Sequence, residues 1–488
     1  MDLLDQTYER FKKINNTYYL IGVCVFAVII RAIGVDPINL SIEEAEFFYF
    51  SHPSISNNEL LTLCQRGLPV FDFIFYRAWF SLVGFSILKG KALSFFFNIA
   101  LIPVVYALSK KIKNSEAEAR FSAFLIVVSL SFISLANVPR FYNEVLLFSV
   151  LSFYFFLDFL KPKVTLMGII CYVLFTSLAI LCHYYFVFVL ISQGIMALLF
   201  YYRKQVSKTN FLLALICFTS IALIIAMVFS TFIYLVKSGN EYLAESSPPF
   251  VVFAHLYIFL GQDPVLFIIC LVLLVVYIIY FLKTKQSPNL NKTTIVLWLL
   301  LTLVLPLLVD ILYKPIIRRD YNLILFTPFL LIVSWGFGVA KNKWKVIIVC
   351  LIVCSGIINI CFIQNYYTTP ENTLYRTAYN FGSLSYKITQ KKVPVNTVVY
   401  TEQDVPYNLY FRHVWNTNYR ATIDSSKLHV SSDSIIYLIK HQDKIINRDD
   451  ITNEKINTSY DLIDTIRARF DVFYEYKSKK HKTNNNDR

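Results

Sequence analysis

The stretch LSIEEAEFFYFSH, residues 40 to 52, places Glu43, Glu44 and Glu46 within four positions, followed at once by Phe47, Phe48, Tyr49 and Phe50. Carboxylates in such a cluster can take a proton from a hydroxyl and turn it into a nucleophile. Three later stretches supply the opposite charge. The turn VPRFYNE carries Arg140 and Tyr142, the point LCHYYF carries His183 and Tyr184, and YKPIIRRDYN carries Arg318 and Arg319. Guanidinium and imidazole groups stabilise an anionic group such as a phosphate through charge-assisted hydrogen bonds. A base for one reactant and cations for a departing anion together suit group transfer. No His/Asp cluster or CxxC pair with ligand spacing occurs, so the pattern requires no metal and leaves a divalent cation as an optional participant.

The elements that must position these residues are membrane helices. Of 488 residues 56% are hydrophobic and only 16% charged, which is too little polar surface for a soluble chain of this length. Apolar runs long enough to cross a hydrocarbon core recur near 18–34, 91–109, 119–138, 142–160, 164–181, 184–201, 209–236, 264–282, 294–312, 321–339 and 344–362. A further candidate, 69–88, holds Asp72 and Arg77. If it does not cross, the basic linkers at 110–113, 161–163, 203–208, 283–292 and 341–345 all share one side with Arg10, Lys12 and Lys13, as the positive-inside rule asks. Residues 69–88 are therefore expected to form an interfacial helix, with Asp72 and Arg77 facing lipid headgroups. Eleven crossings then put the N-terminus in the cytoplasm and the C-terminus outside. The polar start MDLLDQTYERFKK reads as a signal anchor that is retained.

The net charge of +14 is explained by these linkers and by a basic tail, so it does not indicate nucleic acid. Eight of the nine cysteines sit in apolar runs, where they behave as small hydrophobes. Three units are expected: a transmembrane domain over 1–364 with an outer loop at 35–90, a soluble extracytoplasmic α/β domain over 365–476, and a disordered basic tail over 477–488. Within the second, VPVNTVVYTEQDVPYNLYF and DSIIYLIK read as strands, and TSYDLIDTIRARFDVFYEYK contains a helical pattern. The fold class is an all-α polytopic membrane protein of about 11 transmembrane helices with a small C-terminal α/β domain.

Each polar residue also has a plainer reading. Glu43, Glu44 and Glu46 could be a solvated acidic loop, with Glu46 the most readily explained this way. Arg140, Arg318 and Arg319 could anchor span ends by snorkelling, although two adjacent outer arginines oppose the positive-inside bias. Tyr142 could be an interfacial tyrosine, His183 a satisfied histidine between helices, and Asp310 a helix-end carboxylate. Against these stands the collection of all of them on the expected outer face, where the aromatic run 47–50 would hold the acidic loop at the lipid interface.

In order along the chain, the acidic pair, RGLPVFDFIFYRAW, LVGFSILKGKALSFFFN, YALSKKI, PRFYNEVLL and LCHYYF resemble the C-type glycosyltransferases (GT-C fold) of the protein O-mannosyltransferase and aminoarabinose transferase group. The resemblance covers roughly 18–340 and is best over the first two hundred residues. It implies sugar transfer from a polyprenyl-phosphate carrier to an acceptor at the outer face. Glu43 would stand in place of the family's catalytic Asp and Glu44 in place of its Glu. Arg140 and Tyr142 match an Arg-x-Tyr turn, His183 a His-Tyr motif, and Arg318 or Arg319 an Arg-Tyr before a proline. Lys91 stands where the family usually has Arg, keeping the charge without the bidentate fork.

The expected activity is a membrane hexosyl- or pentosyltransferase, with Glu43 or Glu44 as base and Arg140, Tyr142, His183, Arg318 and Arg319 binding substrate. Its partners would be a polyprenyl-phosphate-linked sugar donor, membrane lipids, and a lipid, polysaccharide or protein acceptor. A bacterial inner membrane is the expected location. A lipid-linked glycan transporter or flippase would place charges along mid-span paths, which these spans lack, and it would often show inverted repeats. A non-catalytic scaffold of the same fold is the other alternative.

Overall fold

The computed structural model describes residues 3–33, 35, 40–60, 70–112, 114–238, 251–284, 289–312, 323–363, 381–391, 398–401, 404–414, 417, 419–422, 435–441, 460–467 and 471–478. Its helices are α1 (Leu3–Lys12), α2 (Asn16–Ala32), α3 (Ile42–Ser51), α4 (Val70–Val83), α5 (Ile87–Lys111), α6 (Glu116–Val128), α7 (Leu130–Leu135), α8 (Tyr142–Phe156), α9 (Leu166–Cys182) and α10 (Val187–Tyr202). They continue with α11 (Lys208–Ser238), α12 (Val251–Phe259), α13 (Pro264–Thr284), α14 (Leu290–Leu312), α15 (Phe326–Val339), α16 (Asn342–Ile358), α17 (Phe381–Gln390) and α18 (Asp404–Asn408). Five strands follow from residue 398: β1 (Val398–Thr401), β2 (Arg420–Thr422), β3 (Ile435–His441), β4 (Tyr460–Arg467) and β5 (Asp471–Ser478).

The described residues of each of the eleven apolar runs fall mainly on helix, the run 119–138 on the broken pair α6 and α7. Among the described residues six helices are long and apolar enough to cross a bilayer, and α1 with α2, bent by 102°, makes a seventh if counted as one span. These helices make the chain an integral membrane protein, although their lengths do not reproduce the expected count of eleven. Capping explains several helix starts: Asn15 accepts from Thr17 N, Ser115 and Glu118 form a reciprocal capping box, and Asp263 accepts from Val265 N and Leu266 N before Pro264.

The chain divides into two compact units. The first comprises Met1–Val35, Ser56–Tyr76 and Lys91–Tyr375. Its centre holds a polar network among apolar helices. Arg31, fully buried near the end of α2, donates to Asn98 Oδ1 at 2.8 Å and to the carbonyls of Ile126 at 3.0 Å and of Ala27 and Val127 at 3.4 Å. Asn98 passes the network on to Phe132 O at 3.0 Å and Asn143 Oδ1 at 2.8 Å. Asn143 donates in turn to Ser94 Oγ and Leu135 O, both at 2.7 Å. Side chains from α2, α5 and α8, bonded to carbonyls of α6 and α7, thus fix the first turn of α8. The corner between α1 and α2 is closed separately, by Arg120 donating to Phe11 O, Ile14 O and Asn16 Oδ1.

The second unit comprises Asp36–Ile55, Arg77–Gly90 and Arg376–Arg488. Its sheet has the order β2-β1-β3-β5-β4, with β1 parallel to β2 and β3, and β5 antiparallel to β3 and β4. Leu384 and Ile388, four residues apart on α17, are fully buried, as are Val399 of β1 and Phe473 of β5. The helical pattern expected within 458–477 is not observed among the described residues, because this segment supplies β4 and most of β5. Its β-branched and aromatic residues pair across strands, and β5 sits inside the sheet with a partner on each side. A bulge between Leu462 and Asp464 breaks the alternation, which is what let the segment pass for a helix.

Arg31→Leu removes the donor from one amide and three carbonyl oxygens in an apolar interior, and is expected to cost about 3 kcal/mol. The check is a thermal melt of the purified protein in detergent, read as a drop of several degrees.

Candidate active site

The acidic stretch forms α3, opened by a reciprocal capping box that separates the two leading glutamates. Ser41 N donates to Glu44 Oε2 at 2.7 Å, and Glu44 N donates to Ser41 Oγ at 3.2 Å. Glu44 is buried, whereas Glu43 and Glu46 are exposed. The aromatic run that follows does not form the expected lipid anchor as a whole. Phe47 is 5% exposed and Phe48 fully buried, with the Phe48 ring centroid 5.5 Å from Phe80 and 6.0 Å from Phe85. Gly90 leaves room for the Phe48 ring, because a Cβ there would overlap it. Protein rings outcompete lipid for these side chains.

At the far end of α3 the His52 imidazole stacks on His413, with centroids 3.9 Å apart and planes at 29°. His52 also lies against Phe85 at 4.5 Å, and Tyr49 lies 5.7 Å from His413. Burial pushes His413 down to about 4, helped by His52 and Arg412, and burial with Arg77 lowers His52. The acidic helix is therefore held to the C-terminal part of its own unit through two neutral imidazoles.

In the first unit, the turn before α8 and the end of α9 assemble a second group. Arg140 donates to the Tyr142 hydroxyl at 3.2 Å, and its guanidinium lies 5.3 Å from the Phe141 ring and 5.4 Å from the Tyr142 ring. The His183 ring stacks on Phe141 at 4.4 Å and 30°. Tyr185 N donates to His183 Nδ1 at 3.2 Å, which leaves the proton of a neutral ring on Nε2. Burial and the nearby Arg140 push His183 down to about 3, so it offers a donor and not a charge. Arg140 stays partly exposed while stacked on its aromatic neighbours.

The sequence-expected residues Arg140, Tyr142 and His183 thus come together in one unit, and Glu43 and Glu44 lie on one helix of the other. Arg318 and Arg319 lie outside the described residues. Lys91 and Asp310 are buried, at 5% and 7% exposure. Asp72, expected to face lipid headgroups, is instead 1% exposed on α4 within electrostatic range of Arg140. Burial pushes its carboxyl up to about 7 against the opposing pull of Arg140. Its neighbour Glu144 is not among the residues that the sequence pattern singles out. It is 1% exposed and accepts from the Tyr76 hydroxyl at 3.0 Å. The available signal was an acid inside an apolar run, two residues after Tyr142. Among the described residues no three of His, Cys, Asp and Glu gather as metal ligands would, so no step is derived through a metal.

No family model and no curated protein matches the chain. Solved structures do. ArnT from Cupriavidus metallidurans in the apo state superposes with a TM-score of 0.62 at 10% identity, covering 94% of this chain and 98% of that one. The same protein bound to undecaprenyl phosphate gives 0.61 at 9% identity and the same coverage. The archaeal oligosaccharyltransferase AglB from Archaeoglobus fulgidus, in complex with an inhibitory peptide and a dolichol-phosphate, gives 0.50 at 10% identity over 88% of this chain and 70% of that one. The chain has the GT-C fold that these proteins share.

Acid is expected to loosen α3. Each imidazole of the His52–His413 stack binds its proton more weakly in the folded protein than the free side chain does near 6.5. The stabilisation is therefore present above about pH 6.5 and lost as pH falls through about 4 for His413. Hydrogen exchange of α3 amides, corrected for intrinsic rates, should rise from pH 7 to 5, and His413→Phe should flatten that rise.

Proposed function

We propose that this chain is a membrane glycosyltransferase that moves a sugar from a polyprenyl-phosphate carrier to a hydroxyl-bearing acceptor at the outer face of a membrane. The observation that carries the reading is the Arg140–Tyr142–His183 group at the first turn of α8, on a chain with the GT-C fold. It presents one guanidinium and one neutral imidazole donor, a pairing suited to the oxygens of a phosphodiester and of the phosphate that leaves. ArnT was solved with undecaprenyl phosphate and AglB with a dolichol-phosphate, which agrees with a lipid phosphate as carrier.

Glu43 is assigned as the general base. Both leading glutamates are carboxylates, but Glu44 is buried and committed to the start of its own helix, while Glu43 is exposed. The acceptor hydroxyl loses its proton to Glu43 as its oxygen attacks the anomeric carbon. The bond from that carbon to the phosphate oxygen breaks, and Arg140 with His183 takes up the charge developing on the phosphate. One of Arg318 and Arg319 is assigned as a further phosphate ligand. The orientation carried forward is a cytoplasmic N-terminus and an outer C-terminus across eleven crossings of a bacterial inner membrane. The segment expected over 365–476, which β5 extends to Ser478, is the outer domain, and the residues after it form a basic tail. The acceptor class is a lipid, a polysaccharide or a protein.

Transfer from a radiolabelled polyprenyl-phospho-sugar by the purified protein tests the assignment. Glu43→Gln should lower the rate by about 10²- to 10³-fold. Glu44→Gln keeps an oxygen to accept from Ser41 N and should lose less than about tenfold. Unchanged rates in both variants would sink the mechanism, and a large loss confined to Glu44→Gln would move the base to that residue.

A further inference from the structure

Asp72 and Glu144 are the acids for which the proposed reaction has found no use, and they are the most deeply buried carboxylates near its phosphate ligands. Both are 1% exposed. Among the described residues Asp72 Oδ1, Asp72 Oδ2 and Glu144 Oε2 have no hydrogen-bond partner, while Glu144 Oε1 is held by the Tyr76 hydroxyl. The two carboxyls lie within electrostatic range of each other, and Asp72 lies within range of Arg140. A buried carboxylate with no donor exerts its charge almost unscreened, so whatever its neighbours do depends on whether it is ionised.

We infer that Asp72 is a positioning residue that sets the attraction of Arg140 for phosphate, so that this turn holds a lipid phosphodiester more tightly when the Asp72 carboxyl is protonated and releases it when the carboxyl ionises. The inference rests on the reading of Arg140 as a phosphate ligand. With Asp72 neutral, the positive charge of Arg140 is spent on the ligand. With Asp72 charged, a carboxylate competes for that charge through the same low-dielectric surroundings.

The other groups facing the pair allow this assignment. Tyr76, on α4 with Asp72, donates a hydrogen bond from its hydroxyl to Glu144. From α8 comes Glu144, and from the turn before it Arg140. Cys182, from the end of α9, faces both carboxyls, and the neighbouring His183 stays neutral because burial and Arg140 push it down to about 3. His183 therefore does not titrate between pH 6 and 8, whereas burial brings Asp72 up to about 7, inside that window. The sign follows: Asp72 carries its proton below about pH 7 and loses it above, so affinity for a phosphate of constant charge falls as pH rises.

The probe is methyl undecaprenyl phosphate, a phosphodiester whose single charge is constant over this range, unlike a phosphate monoester with its second ionisation near pH 6. Binding to the full-length protein in lipid nanodiscs is measured from pH 5.5 to 8.5. The wild-type protein should bind roughly five- to tenfold more weakly at pH 8 than at pH 6. Asp72→Asn should bind at both values as tightly as the wild type does at pH 6. A flat wild-type profile, or a profile unchanged by Asp72→Asn, overturns the inference while the phosphate reading stands. The wild-type series decides the matter even if Asp72→Asn does not fold. Binding that Arg140→Ala leaves undiminished removes the phosphate reading itself.

Discussion

A buried guanidinium sets the terms for the helical unit. Arg31 sits in an apolar interior, and its hydrogen bonds to Asn98 and to three carbonyls are what make that burial tolerable. Asn98 must then sit where it can also reach Asn143, and Asn143 is the second residue of α8. The chain of bonds ends one residue from Tyr142 and one from Glu144. Apolar packing alone would let helices slide along one another at little cost. A network in which each partner has a single satisfactory geometry does not, so the turn that carries Arg140 and Tyr142 inherits its register from a residue on α2.

The acidic helix shows how local chemistry divides labour between adjacent identical residues. A capping box needs an acid at the third helical position, and the one that fills it, Glu44, loses its freedom to do anything else. Glu43, one residue earlier on the same turn, keeps an exposed carboxylate. The rest of α3 is bound by rings: Phe48 against Phe80, Phe85 and the space left by Gly90, and His52 against His413. This places the C-terminal sheet and the acidic helix in one compact unit, although more than three hundred residues separate them in the chain.

Around Arg140 the protein uses charge sparingly. The guanidinium lies over Phe141 and Tyr142, the imidazole is neutral, and a neighbouring carboxyl, Asp72, is pushed by burial to the edge of ionisation. Such surroundings let a single cation act strongly on an anion, because few mobile charges answer it.

Much of this was legible in the chain itself. Runs of some twenty apolar residues dictate membrane helices because a backbone in hydrocarbon must satisfy itself, and the described residues of every expected run are mainly helical. The acidic stretch, Arg140, Tyr142 and His183 stood out because polar groups at the ends of such helices are costly without a use. The Ser-x-x-Glu spacing from Ser41 marks Glu44 and not Glu43 as the capping acid, but only the structure shows Glu44 buried and Glu43 exposed. Nor could the sequence show that Asp72 turns inward beside Arg140, because an acid on an amphipathic helix has the same local signature whether lipid headgroups or protein cover it. The strands β4 and β5 were hidden for a related reason, as a bulge disturbs the period of two and the partner strand that decides the matter lies elsewhere in the chain. Local periodicity is written in neighbouring residues, and they determined the helices. Ionisation, burial and strand pairing depend on groups far apart in sequence, so the tertiary structure alone decided them.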